Sequence, residues 1–207
     1  MIVSHTHKFI FIKTAKTAGT SVEVDLCKAL GGQDVATPIT PPVEGHSARN
    51  FRYRKFGIFP KALYNHMPAV AVRNYLGRAT FDSYFKFCVE REPVDKCISY
   101  YSMYQNSPAH RNSISGLSFD AFVQTGKFPI DTAKYVDKDG ALLVDRIVKY
   151  ETLAEELAEI GQSLGLDVSL KTRAKAGFRE EIQPTEAQKR KIYDAFGASN
   201  AFTGYSL

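Results

Sequence analysis

Residues 13–21, Lys-Thr-Ala-Lys-Thr-Ala-Gly-Thr-Ser, hold two lysines, four hydroxyls and one glycine. Those side chains suit an anion. Lys16 is a point charge, and Thr17, Thr20 and Ser21 can donate from their hydroxyls. Gly19 lets the backbone come close, with Ala18 as a second small neighbour. Phe9 to Ile12, just before, are β-branched or aromatic, as a buried strand prefers. Val22, Val24 and Leu26, just after, lead into a helix. A loop between a strand and a helix presents backbone N–H groups at the positive end of the helix dipole, the usual cradle for phosphate. The order is not that of the nucleoside triphosphate loop, G-x-x-x-x-G-K-[ST], because Lys16 precedes Gly19 and no first glycine stands in place. A magnesium-dependent ATPase or kinase is therefore disfavoured.

A second group lies about seventy residues on, in FCVEREPVDKCISYY. Arg91, Pro93, Lys96 and Ser99 follow an apolar run that reads as a strand. Arginine is the bidentate phosphate binder. Ser99, two helical turns further on, can face the same pocket. The ordinary alternative for Arg91 is a surface ion pair with Glu90 or Glu92.

Together these segments resemble the sulfotransferase family. Members carry P-K-T-A-G-T-S, or a close variant, after the first strand as the loop for the 5′-phosphosulfate. Ala15 to Ser21 matches all but the first position, where alanine replaces proline and loosens the loop. Members also follow a later strand with R-x-P-x-x-[KR]-x-x-S, whose arginine and serine hold the 3′-phosphate; Arg91, Pro93, Lys96 and Ser99 match it. VDRIVKYETLAEELAEIGQSLGL and the tail AKAGFRE to FTGYSL look like later family segments, and Lys175 and Arg179 are candidates for a basic loop over the nucleotide.

The resemblance implies a 3′-phosphoadenosine 5′-phosphosulfate-dependent enzyme that releases adenosine 3′,5′-bisphosphate and needs no metal. Lys16 would neutralise the leaving oxygen. The acceptor would be a hydroxyl, expected on a glycan. Such an acceptor needs a base, and histidine titrates near neutrality. His66 in NHMPAVAVRNYLG is the first candidate, since carbohydrate sulfotransferases have a histidine in a similar place. His46 in EGHSARN is second, and Glu23 and Glu44 are carboxylate alternatives. His5 and His7 precede the first strand and read as structural.

These groups need a scaffold. Strands are expected at about 8–13, 84–90 and 141–150. Helices are expected at about 20–30, from Pro68 to Gly77, from Pro93 to about 104, and within 115–127 behind Ser118. Two more are expected over 153–164, behind a Thr152/Glu155 capping box, and over 184–196. Residues 33–48 read as a long ordered loop. Residues 49–61 interleave basic and aromatic side chains, which suits either a solvated loop or an anionic or sugar-rich acceptor. The alternation of strand and helix implies one α/β domain over residues 1–207. Its central parallel sheet would be flanked by helices on both faces, and the resemblance to the sulfotransferases implies their P-loop-NTPase-like fold.

With 207 residues, 44% of them hydrophobic, the chain can build such a core. The net charge of +5 favours an anionic ligand. A nucleic-acid-binding protein and a P-loop-like nucleotide kinase are the rival readings. No RNA-binding motif appears, so no nucleic-acid partner is expected. Cys27, Cys88 and Cys97 are too few and scattered for a disulfide framework. The N-terminal apolar run is too short for a membrane span and lacks the order of a signal peptide, so a cytoplasmic location is expected.

Overall fold

The computed structural model describes residues 1–55, 58–108, 110, 112–168, 170 and 179–207. The chain opens with β1 (Ile2–Ser4), β2 (Phe9–Ile12) and α1 (Gly19–Cys27). Then come β3 (Val35–Ala36), a hairpin of β4 (Arg52–Lys55) and β5 (Phe59–Ala62), and α2 (Ala69–Leu76) and α3 (Arg78–Ser83). The second half holds β6 (Phe85–Glu90), α4 (Pro93–Asn106), α5 (Phe119–Thr125), β7 (Arg146–Lys149), α6 (Leu153–Leu164), α7 (Glu186–Ala195) and α8 (Gly197–Thr203).

The main sheet has the order β3-β1-β2-β6-β7. β2, β6 and β7, the three strands legible in the sequence, run parallel, with Ile12 opposite Cys88 and Glu90 opposite Lys149. β1 and β3 extend it by antiparallel pairing, so the sheet is mixed. Two- and three-residue strands carry too few side chains to show a period of two.

Alternation along β2 sorts the core. Phe9 and Phe11 point to one face, with Phe87, Val22, Leu26, Leu157 and Ile160. Ile10 and Ile12 point to the other, with Val72, Phe81, Cys88 and Tyr135. Helices thus cover both faces, as expected. A third cluster, Cys97, Ile98, Phe122, Ile192 and Phe196, ties α4 to α5 and α7. All three cysteines are buried and free.

Four local expectations are corrected. The 33–48 stretch, read as a loop, contains β3, and the basic-aromatic stretch at 49–61, read as a loop, carries the paired strands β4 and β5, because each finds backbone partners outside its own segment or across the hairpin. Thr152 does not form a capping box. Its hydroxyl donates to Glu156 Oε1 at 2.8 Å, and no side chain caps α6. The reason is a 3₁₀ turn, Tyr150–Thr152, that enters the helix directly and holds Thr152 at φ −116°, ψ 21°, outside the extended cap conformation. The capping box sits on α7 instead, between Thr185 and Gln188. The expected 20–30 helix ends at Cys27, followed by single turns from Ala29 to Leu26 and from Leu30 to Cys27.

Candidate active site

The three parallel strands end on the same side, and each chain segment leaving them enters one cleft. The cavity is about 1130 Å³ and is lined by the 13–21 loop after β2, Arg91 after β6 and Tyr150 after β7. Open parallel sheets place ligands at the carboxyl ends of their strands for this reason. Lys16, Thr17, Ala18, Gly19, Thr20, Ser21, His66, Arg91, Ser99 and Arg179 all line it. Lys175 lies outside the described residues. His46 is not part of the lining, and neither are Glu23 and Glu44.

The loop is built for backbone donation. Lys16 and Ala18 have φ of 61° and 56°, alternating left-handed residues of the kind that turn successive N–H groups inward. Ala18 is the α1 N-cap without a side-chain cap, and the first bond of the helix is Val22 N–H to Ala18 O at 3.1 Å. The N–H groups of Gly19, Thr20 and Ser21 therefore precede the helical ladder.

Gly19 has a further reason to be glycine. A Cβ there would lie 2.8 Å from Lys13 Cγ. Lys13 cannot swing aside, because it is buried and its ammonium meets Glu23 at 2.5 Å. That pair takes Glu23 into the core, away from any role as a base. Glu44 is exposed in the 33–48 loop. The Thr17 hydroxyl, expected among the anion donors, turns into the loop instead: it is buried and shares a 2.8 Å hydrogen bond with the Thr14 hydroxyl.

Under the loop lies a buried charge network. Lys96 is fully buried and donates to Glu90 at 2.7 Å and to Asp131 at 2.9 Å. Asp131 also accepts the Ala15 N–H at 2.6 Å and pairs with Lys134. Burial pushes the Asp131 carboxyl up, but Lys96 and Lys134 outweigh it and hold it below the ordinary range. Burial likewise pulls the Lys96 ammonium down, and its two carboxylates hold it above the usual lysine value. Lys96 in the second motif thus supports the loop from below. The alanine at position 15, expected to loosen the loop, fastens it: it supplies an N–H that proline lacks.

Arg91 is not paired with Glu90 or Glu92. Glu90 holds Lys96, and Glu92 caps α4 by accepting the Val94 and Asp95 N–H groups at 3.0 and 2.6 Å. Arg91 is 8% exposed and its guanidinium lies 4.0 Å from the centre of the Tyr150 ring. It donates to the Lys16 carbonyl at 3.1 Å and pairs with Asp95, which also pairs with Arg179. Asp95 and Ser99 stand one turn apart on α4, so this helix carries both along the cleft wall.

His66 has φ of 60° and its Nδ1 is 3.1 Å from the Lys13 carbonyl. A carbonyl only accepts, so Nδ1 carries the proton and Nε2 keeps the lone pair in the neutral ring. Burial, helped by Lys134 and Lys13, lowers its pKa to about 4. His46 is lowered to about 4 as well, chiefly by burial.

A donor-rich loop at one strand exit, a buried arginine at the next and a neutral histidine therefore share one cleft. The family whose sequence pattern matches is described as the Sulfotransferase family, over residues 1–197. The chain belongs to the sulfotransferase family. A protein of Archaeoglobus fulgidus, described as uncharacterized, is 34% identical over 122 residues, 55% of this chain and 98% of that one. Among the described residues, this sulfotransferase has no helix long and apolar enough to cross a membrane.

Sequence reasoning did not reach Asp131, Lys134, Asp95 or Tyr150. Asp131 is 116 residues from the N–H that it holds, and no local pattern marks such a contact. Asp95 left a signal, since it stands four residues after Arg91, the helical spacing of an ion pair.

Proposed function

We propose that this sulfotransferase moves a sulfuryl group from 3′-phosphoadenosine 5′-phosphosulfate to a hydroxyl of a carbohydrate. The observation that carries the reading is the sharing of one cleft by the 16–21 loop, the Arg91/Ser99/Arg179 group and His66. Two adjoining cationic groups, Lys16 in the loop and Arg91 with Arg179, suit a nucleotide that carries two phosphate groups, and 1130 Å³ exceeds an ordinary small-ligand pocket, leaving space for an acceptor.

In this reading the N–H groups at the α1 N-terminus and the Thr20 and Ser21 hydroxyls hold the 5′ end. Lys16 stabilises the charge that grows on the bridging oxygen as the bond to sulfur breaks. Asp95 draws Arg91 and Arg179 together behind the 3′-phosphate, with Ser99 beside them. The Arg91 contacts use Nε, Nη2 and one Nη1 donor, and a guanidinium has five N–H groups in all. His66 Nε2 takes the acceptor proton as the hydroxyl attacks sulfur in line with the departing nucleotide.

The test is transfer of radiolabelled sulfate from the donor to three acceptor pools: polysaccharides, tyrosine peptides and small phenols. Label should enter the polysaccharide pool and be lost with Lys16→Ala. Label entering only peptides or phenols overturns the carbohydrate assignment. Label entering no pool counts against the donor reading.

A further inference from the structure

The chain's positive charge is not evenly spread. Residues 45–81 contain seven lysines and arginines and no aspartate or glutamate, against an excess of five for the whole chain. The β4–β5 hairpin stands in the middle of this segment. Arg52 and Arg54 are exposed on β4, and all four residues of β5, Phe59 to Ala62, are exposed.

Toward its far end, where Lys55 stands opposite Phe59, two apolar residues are exposed. Ile58 is 70% exposed and Phe59 58%. Register puts Arg54 opposite Pro60 and Arg52 opposite Ala62, so the two arginines follow that end in successive steps on one face. Residues two apart on a strand are separated by about 7 Å. The base is fixed to the body: Tyr53 packs edge-on against Tyr75 at 4.7 Å, and the Leu63 N–H donates to Phe51 O at 2.7 Å. Asn65 and His66, which follow at once, line the cleft.

We propose that this hairpin docks the protein on an anionic lipid bilayer. Ile58 and Phe59 enter the boundary between headgroups and acyl chains, and Arg52 and Arg54 on one face, with Lys61 on the other, meet the lipid phosphates above them. Exposed apolar side chains near the end, with cationic residues beside and behind them, suit the layering of an anionic bilayer surface. A soluble polyanion would use the same cations but would gain nothing from an exposed isoleucine, so the observations favour the membrane. Docking would fix the distance between the cleft and the lipid surface, since the hairpin runs directly into His66. The proposal stands on the hairpin alone and does not depend on which group the cleft transfers.

The test is sedimentation of the full chain with phosphatidylcholine vesicles, with and without a quarter of phosphatidylglycerol. Binding should appear only with the anionic lipid and should weaken in high salt. The double variant Ile58→Ser/Phe59→Ser should bind at least tenfold more weakly, with adenosine 3′,5′-bisphosphate affinity unchanged. Arg52→Gln/Arg54→Gln should lose the preference for anionic vesicles. The chain has no tryptophan, so Ile58→Trp gives a single reporter whose emission should shift to the blue on anionic vesicles. Absence of vesicle binding, an undiminished affinity in the serine variant, or an unshifted tryptophan overturns the proposal. Binding to heparin without binding to vesicles overturns it in favour of a polyanionic partner.

Discussion

At the scale of single residues, the clearest separation is between His66 and the anion loop. His66→Ala should leave bisphosphate affinity nearly intact and lower turnover by about 10²–10⁴, the range of a general base. A turnover near wild type would pass the role elsewhere. The pH profile sharpens this. Only the neutral imidazole can accept a proton, and burial with Lys134 and Lys13 keeps the ring neutral down to about pH 4. The rate at low substrate should therefore hold steady below the ordinary histidine value of about 6.5 and fall only near 4. A fall centred at 6.5 would mean a solvated histidine. Arg91→Ala should weaken bisphosphate binding by about 1.5–3 kcal/mol, and lysine should restore only part of it, lacking the planar fork. The placement of Arg91 and Lys16 in one cleft was legible because both follow apolar runs that read as strands. Asp131 was not, because its role comes from the Ala15 N–H, Lys96 and Lys134, which only the fold brings to it.

At the scale of elements, the site depends on how β2 hands over to α1. Lys13 is the last apolar-side anchor of that turn, held by Glu23 inside α1. Lys13→Ala should cost stability at the lower end of about 3–5 kcal/mol, because Glu23 stays buried without its lysine partner. Gly19→Ala should cost about 1–3 kcal/mol through overpacking against the same lysine stem. Denaturant melts measure both, and a neutral Gly19→Ala would show that the lysine can yield. Ala15→Pro, which restores the residue that the family pattern favours, should destabilise by about 1–3 kcal/mol by leaving Asp131 without one of its donors. The apolar runs of β2 and β6 were readable by their β-branched and aromatic content, and α6 by the repeat of Leu153, Leu157 and Ile160 at helical spacing. The Thr152 cap was misread because a capping motif does not say whether the preceding residues form a 3₁₀ turn.

At the scale of the whole molecule, His66 enters both folding and chemistry, but stability responds to acid before the rate does. His46 and His66 are both held neutral, with pKa about 4 in the fold against about 6.5 in an unfolded chain. The unfolded chain therefore takes up protons first as pH falls. Their contribution to stability is complete above 6.5 and is lost progressively from there towards 4. Melts at pH 7.5 and pH 5 should show the lower stability at pH 5. A double replacement by phenylalanine should flatten that difference, and an unchanged difference would assign the acid sensitivity to other groups. The parallel strands set the rest: their three carboxyl ends bring the 13–21 loop, Arg91 and Tyr150 to one cleft, although 75 residues separate Lys16 from Arg91. The measurement that bears most directly on this arrangement is calorimetric titration with adenosine 3′,5′-bisphosphate, adenosine 5′-monophosphate and ATP with magnesium. Two phosphate sites predict that the bisphosphate binds at least about tenfold tighter than either, a difference of about 1.4 kcal/mol, and that Arg91→Ala removes most of that advantage. Equal affinity for the bisphosphate and the monophosphate, or tighter binding of ATP with magnesium, would contradict it.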